Sequence, residues 1–226
     1  MNSTQPQIAV IVSMPFAENT YVANLPGRND CVVFDPGLEP DKIFEYLDSN
    51  RLEPAAILNT HGHGDHIAGN EAMKQRWPDA PLVIGRQEAA KLTDPMLNLS
   101  GMLDGVGIVS PSADVMLDDG DVYEAAGFRF DVLFTPGHSS GHIVFLDRQH
   151  RPHILFGGDV LFQGSIGRTD FPGCSFDELA RSIHGKLFTL PDDTIVLSGH
   201  GEPTTIGHEK KTNPFVGAPA GYQETE

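Results

Sequence analysis

The sequence predicts an α/β protein: two mixed β-sheets packed face to face, with helices on both outer faces, a four-layer sandwich. Three observations carry this. Short strand-like runs fall into two groups, each followed by segments of helical periodicity. Several of those runs are apolar throughout rather than alternating, so they need cover on both faces. Hydrophobic residues make up 39% of the 226 and charged residues 20%, enough apolar material for one large core. A single domain spanning residues 1–226 is expected.

In chain order, residues 7–12 (QIAVIV), 19–25 and 30–35 (DCVVFD) read as strands separated by Pro15 and by Pro26-Gly27-Arg28-Asn29, as hairpins require. Residues 38–50 carry Ile43, Phe44 and Leu47 at helical spacing, so an amphipathic helix is predicted. Residues 55–59 form a buried strand, and 65–77 a helix. A short strand at 81–84 precedes a short helix at 86–92. Residues 93–112 hold Pro95, Gly101, Gly105, Gly107 and Pro111. This long irregular stretch is either a lid over a site or a loop that packs on the surface. Residues 114–117, 122–125 and 128–134 read as strands around the Asp118-Asp119-Gly120-Asp121 and Gly127 turns. Strands at 142–146 and 153–156 follow. A helix at 176–184 turns Leu179 and Ile183 inward, with Ser175 as its cap. A last strand at 193–197 and a short helix at 204–211 lead into 212–226, expected as a flexible tail.

A net charge of -16 speaks against nucleic acid or an anionic membrane as a partner, because both select a basic footprint. No stretch approaches the roughly 20 apolar residues of a membrane span. Residues 1–15 have neither the basic region nor the apolar run of a signal peptide. With two cysteines, Cys31 and Cys174, the expected setting is reducing cytoplasm with both thiols free. A monomer or weak homodimer is expected.

Chemistry concentrates in residues 56–66, AILNTHGHGDH. His61, His63, Asp65 and His66 fall within six residues, with Gly62 and Gly64 between them. Imidazole nitrogen and carboxylate oxygen are the donors that borderline divalent metals prefer. His61 and His63 can converge on one ion, while Asp65 and His66 turn toward a second. A Gly-rich polar loop could hold these residues by accident, but three more runs end the same way. FDVLFTPG stops at His138, HILFGG at Asp159 and TIVLSG at His200, each ligand directly after a glycine. Ligands gathered at the ends of neighbouring strands suit a metal in a cleft.

The His-x-His-x-Asp-His string, followed in order by His138, Asp159 and His200, resembles the dinuclear hydrolase branch of the metallo-β-lactamase superfamily. That resemblance implies the αββα sandwich. It implies two divalent metal ions, zinc first, with iron or manganese compatible with the same donors. His61, His63 and His138 would hold one ion, Asp65, His66 and His200 the other, and Asp159 would bridge them. The stretches TPGHSSGH (135–142), GGDVLF (157–162), GRTDFPG (167–173) and SGHGEPTTIGHEKKTNPF (198–215) are similar to glyoxalase II-type enzymes, the hydroxyacylglutathione hydrolases. The likeness is to their short form, which lacks a C-terminal helical domain.

The implied reaction is hydrolysis of a small-molecule thioester such as S-lactoylglutathione. A hydroxide lying between the metals attacks the carbonyl, with Asp65 and Asp159 as the catalytic carboxylates. Arg168 is the substrate-binding candidate, either through a carboxylate of a glutathione conjugate or, instead, in a salt bridge with Asp170 or Asp177. Asp170 stands where the family has an aromatic. His142 is expected beside the ligands rather than among them. His150, His153, His184 and His208 are expected at the surface or in packing, and Cys174 as an inert thiol. The same likeness leaves a rival of the same fold, a persulfide dioxygenase holding one iron through His61, His138 and Asp159. A β-lactamase, a nuclease or a metal-binding protein without turnover ranks below it.

Overall fold

The computed structural model describes residues 5–102 and 107–223. β1 (Gln7–Ser13), β2 (Glu18–Asn24), β3 (Asp30–Phe34), β4 (Glu53–Leu58), β5 (Leu82–Gly85) and β6 (Val115–Leu117) lie side by side in that order. The first three are antiparallel, and β3 to β6 are parallel. The second sheet contains β7 (Val122–Ala125), β8 (Phe128–Phe134), β9 (Ile143–Asp147), β10 (Ile154–Gly158), β13 (Ile195–Ser198) and β14 (Thr204–Thr205). Its order is β14-β13-β10-β9-β8-β7, with only β10 and β13 parallel. Between β10 and β13 a small hairpin, β11 (Leu161–Phe162) with β12 (Ser165–Ile166), stands apart from both sheets.

The period of two along the strands sorts side chains into layers. On β2, β3 and β4, Ala23, Val32, Phe34 and Leu58 face the second sheet and meet Phe130, Phe145 and Phe156. The rings of Phe34 and Phe156 stack with centroids 3.7 Å apart. The alternate residues Val22, Val33 and Ile57 face outward onto Ile43 and Leu47 of α1 (Pro40–Asn50) and Met73 of α3 (Asn70–Arg76). The second sheet is covered likewise: Val144, Leu155 and Val196 meet Leu179 of α4 (Phe176–Ser182) and Ile206 of α5 (Ile206–Thr212). Cover on both faces is why these strands read as continuous apolar runs. The layer order is helix, sheet, sheet, helix, as expected.

Several elements differ from expectation in extent. The helix expected at 65–77 is two pieces, α2 (Gly64–Ile67) and α3. The break falls at Gly69, whose N–H donates to Pro36 O at 2.8 Å instead of continuing the helix. A Cβ there would sit 2.8 Å from Gly37 O, so the approach needs glycine. The helix expected at 86–92 is one 3-10 turn, Ala89–Leu92. The helix at 176–184 has the expected cap, Ser175 accepting from Glu178 N, but continues as a π-turn over Ile183–Leu187. Residues 204 and 205 are strand before α5 begins. The flexible tail expected at 212–226 is docked over its first part. Asn213 and Val216 are buried, Asn213 Nδ2 reaches Ser165 O at 2.9 Å, and His184 Nε2 donates to Val216 O at 2.8 Å. Among the described residues no helix is long and apolar enough to cross a membrane.

Parallel pairing positions the site. Because β3 and β4 run the same way, their ends deliver Asp35 and Thr60 side by side, and Asp35 N donates to Leu58 O at 2.9 Å. Parallel β10 and β13 likewise deliver Asp159 and His200, with Gly199 N donating to Gly158 O at 2.8 Å. The two edges are tied together where Ile143 N donates to Thr60 O and Asn19 N to Gly199 O.

Candidate metal centre

All seven side chains singled out in the sequence meet at this shared edge. His61 Nε2 and His138 Nε2 lie 3.0 and 2.9 Å from His63 Nδ1. Asp65 Oδ2 is 3.8 Å from His66 Nε2 and 3.4 Å from His200 Nε2. Asp159 lies between the two groups. Its Oδ1 is 3.4 Å from His66 Nε2, and its Oδ2 is 3.4 Å from His138 Nε2 and 3.5 Å from His200 Nε2. His61, His63 and His138 form one set able to hold a metal ion, and Asp65, His66 and His200 form another.

Hydrogen bonds at the back of each ring fix which nitrogen faces the centre. Thr60 Oγ1 donates its single proton to Asp35 Oδ2 at 2.7 Å, so it accepts from His61 Nδ1 at 3.1 Å. His66 Nδ1 donates to Asp35 Oδ2 at 3.2 Å, His138 Nδ1 to Arg168 O at 2.9 Å, and His200 Nδ1 to Phe16 O at 3.1 Å. In these four rings Nε2 is thereby turned inward, while His63 presents Nδ1. Three imidazole nitrogens within about hydrogen-bond distance cannot all be satisfied by one proton between them. His66 Nε2 and Asp159 Oδ1, both buried, make no hydrogen bond. Converging lone pairs and orphaned buried atoms are what two nitrogen- and oxygen-preferring cations would satisfy. The residues fit a dinuclear site.

Electrostatics agree. Burial pushes the pKa of His61 and His63 well below the usual range and lowers that of His138, leaving neutral rings. Burial also disfavours charge on His66, but Asp159 and Asp65 outweigh it and hold its pKa well above normal. Burial is likewise outweighed at His200, where hydrogen bonds to Asp159 and Asp65 raise the pKa to about 10. Burial would raise Asp159, yet His66 and His200 hold it well below the usual carboxylate range. Positive charge is thus favoured beside the two carboxylates, where a cation would displace the imidazolium protons.

Several residues that the sequence did not single out build the support. Asp35 serves His66, Thr60 Oγ1 and Thr60 N. It ends the apolar run DCVVFD, the same pattern that marks four of the ligands. The Glu88 side chain is fully buried. It accepts from Gly62 N, Ser139 Oγ, Gly141 N and Lys91 Nζ at 2.8, 2.6, 2.7 and 2.9 Å, tying the His61 loop to the His138 loop. In RQEAAKL it looks like an exposed helix residue, so no local signal marked it. Glu18, buried beneath the second set, has its pKa pushed well above normal by burial. His142 sits beside the ligands as expected, its Nε2 accepting from Asp159 N at 3.2 Å.

The centre opens into a cavity of about 500 Å³. Arg168 reaches it, but its Nε and Nη2 both donate to Asp170 at 2.7 Å, the salt-bridge alternative of the sequence reading. Leu99, Ser100, Met102 and Ile108 of the 93–112 stretch border the same cavity, and residues 103–106 lie outside the described residues. Cys31 and Cys174 are free thiols, with Cys174 Sγ donating to His138 O at 2.7 Å.

The family model described as "Metallo-beta-lactamase superfamily" matches residues 14–200, from the end of β1 to the last candidate ligand. The chain belongs to that superfamily. As a metal-dependent hydrolase of the metallo-beta-lactamase superfamily, it has relatives of several descriptions. It is 41% identical over 202 residues to the probable metallo-hydrolase YqgX of Bacillus subtilis, covering 89% of this chain and 93% of that one. It is 37% identical over 195 residues to the hydroxyacylglutathione hydrolase GloC of Haemophilus influenzae, covering 84% and 88%. Among solved metallo-beta-lactamase folds, the BLEG-1 B3 metallo-beta-lactamase superposes with TM-score 0.88 at 39% identity, covering 93% of this chain and 99% of that one. TTHA1623 in a di-iron-bound form gives 0.79 at 35% identity, covering 92% and 99%. ETHE1 from Myxococcus xanthus gives 0.76 at 28% identity, covering 94% and 85%.

Proposed function

We propose that this chain is a dinuclear metal-dependent thioesterase of the cytoplasm, acting on small thioesters such as S-lactoylglutathione. One observation carries the reading: Asp159 stands between two complete ligand sets, with one oxygen near His66 and the other near His138 and His200. His61, His63 and His138 would hold the first ion, Asp65, His66 and His200 the second, and Asp159 both. Likeness to a hydroxyacylglutathione hydrolase supports the substrate class.

Two divalent ions so held would supply Lewis acidity that brings the pKa of a bound water toward neutral. The chain's own residues do the rest. Asp35 and Thr60 lock the His66 and His61 rings. His142 holds the Asp159 backbone. Asp65 lines the cavity beside His200 and is placed to take a proton from the attacking water. A thiolate leaves without help, so the chain needs no proton donor for it. Zinc, iron and manganese all suit a donor set of five imidazoles and two carboxylates shared between two ions.

The deciding assay is hydrolysis of S-lactoylglutathione by protein reconstituted separately with zinc, manganese and ferrous iron. Turnover on the order of 1 per second or faster supports the thioesterase. Absence of turnover with every metal, together with oxygen uptake on glutathione persulfide, would replace it with the one-iron dioxygenase. The complete second set, Asp65, His66 and His200, weighs against that outcome. A β-lactam in the same panel tests the chemistry named for the B3 neighbour.

A further inference from the structure

We propose that the cavity beside the metal centre selects an apolar acyl arm, so that the preferred thioester carries an alkyl or aryl acyl group and its thiol carrier is held loosely. For the reaction this rests on the hydrolase reading above; for the binding it rests on the cavity wall alone.

At about 500 Å³ the cavity is sized for a small molecule. Most of its apolar wall comes from three separate segments. Phe16 follows β1, Leu99, Met102 and Ile108 belong to the long stretch after β5, and Phe162 and Ile166 belong to the β11–β12 hairpin. Phe162 stands against a candidate ligand, its ring centroid 6.1 Å from that of His200. An acyl chain whose carbonyl reached the metal centre would therefore lie against apolar surface.

Two polar side chains of the wall, Asn98 and Ser100, are committed within their own stretch. Asn98 Nδ2 donates to Lys91 O and Ile108 O, and Asn98 Oδ1 accepts from Ser100 N and Ser100 Oγ. Ser100 Oγ in turn accepts from Ile108 N at 2.8 Å. Outside the metal centre, the described lining residues include one cation, Arg168. Its guanidinium is clamped on Asp170 and covered by the Phe171 ring at 4.0 Å. A glutathione carrier brings two carboxylates and an ammonium group. Among the described lining residues outside the metal centre, the one cation they meet is already paired with Asp170, and the chain's charge of -16 repels the net anion. The energy available to discriminate substrates is apolar burial.

Binding and turnover test this separately. Calorimetry on the protein as purified would compare inert thioethers, S-methyl and S-hexyl, on N-acetylcysteamine and on glutathione. The hexyl thioether is expected to bind about tenfold or more tightly than the methyl on either carrier, with the carrier changing Kd less than about threefold. In Phe162→Ala the hexyl advantage should shrink at least about threefold while the methyl Kd stays within about twofold. A flat alkyl series, or a tenfold gain from glutathione itself, would overturn the assignment. Turnover of acetyl, butyryl and hexanoyl thioesters then separates the two readings. An alkyl preference in binding with no thioester turned over sinks the thioesterase and leaves the cavity assignment standing. Turnover indifferent to acyl length sinks the cavity assignment and leaves the thioesterase.

Discussion

At the residue scale, the centre depends on side chains that touch the ligands from behind. Asp35 holds His66 and, through Thr60, His61, so it serves both ligand sets. In Asp35→Asn the amide keeps the shape but loses the charge that favours these ring tautomers. Metal affinity should fall about 10- to 100-fold, read by competition with a chromogenic chelator. Asp159→Ala removes the carboxylate common to both sets. It should cut metal content from two ions toward one or none and activity by about a thousandfold, read by elemental analysis alongside the thioester assay. An Asp159→Ala protein retaining two ions and full activity would refute the bridging assignment. Glu88 offers a contrast, since it touches the loops and not the ligands. Glu88→Gln leaves buried donors unpaired and should lower stability by about 2–4 kcal/mol in urea unfolding.

At the element scale, the ligands are set by where strands stop and which way the next residue turns. Gly137 has φ of +135°, and a Cβ there would sit 2.2 Å from Leu179 N at the start of α4. The strand end that carries His138 and the helix behind it are therefore in backbone contact. Gly137→Ala must push them apart, moving His138 away from His63. A destabilisation of about 3 kcal/mol or more is expected, with the first ion lost before the second in a stepwise chelator titration. Equal loss of both ions would argue that the damage is general. The expected elements were legible where an apolar run met a turn residue. Gly69 broke the helix at 65–77 because Pro36, thirty-three residues earlier in sequence, takes its N–H, and no window of neighbouring residues contains that fact. The β11–β12 hairpin pairs only two residues on each side, too few to show an alternating pattern.

At the scale of the whole molecule, the two ligand sets draw on both sheets. His61, His63, Asp65 and His66 follow β4 of the first, while His138, Asp159 and His200 follow β8, β10 and β13 of the second. A metal pair binding only the folded chain would therefore hold the sheets together and stabilise it by mass action. Chelation should lower Tm by about 5 °C or more in a scanning fluorescence experiment, and zinc should restore it. An unchanged Tm would mean that the ligand sets do not bind metal tightly in the native chain. The same geometry sets a sign for pH. Binding must displace protons from His66 and His200, so metal affinity should rise with pH through the neutral range.

By itself the sequence pointed to the sandwich, through strands apolar on both faces, and to seven candidate ligands, four through apolar runs that stop at His or Asp and three through the His-x-His-x-Asp-His string. Those features are local: burial on two faces and a turn after a strand each leave their mark within a few residues. Only the tertiary structure decided that Asp35 would reach across to Thr60 and His66, that Glu88 would be buried between two ligand loops, and that Arg168 would be clamped by Asp170. It also decided that the cavity wall would be apolar, because Phe16, Ile108 and Phe162 become neighbours only when three distant segments close on one edge. Side chains that act on residues remote in sequence carry no periodicity and no fixed spacing. Their roles come from which strand ends the parallel pairing brings together.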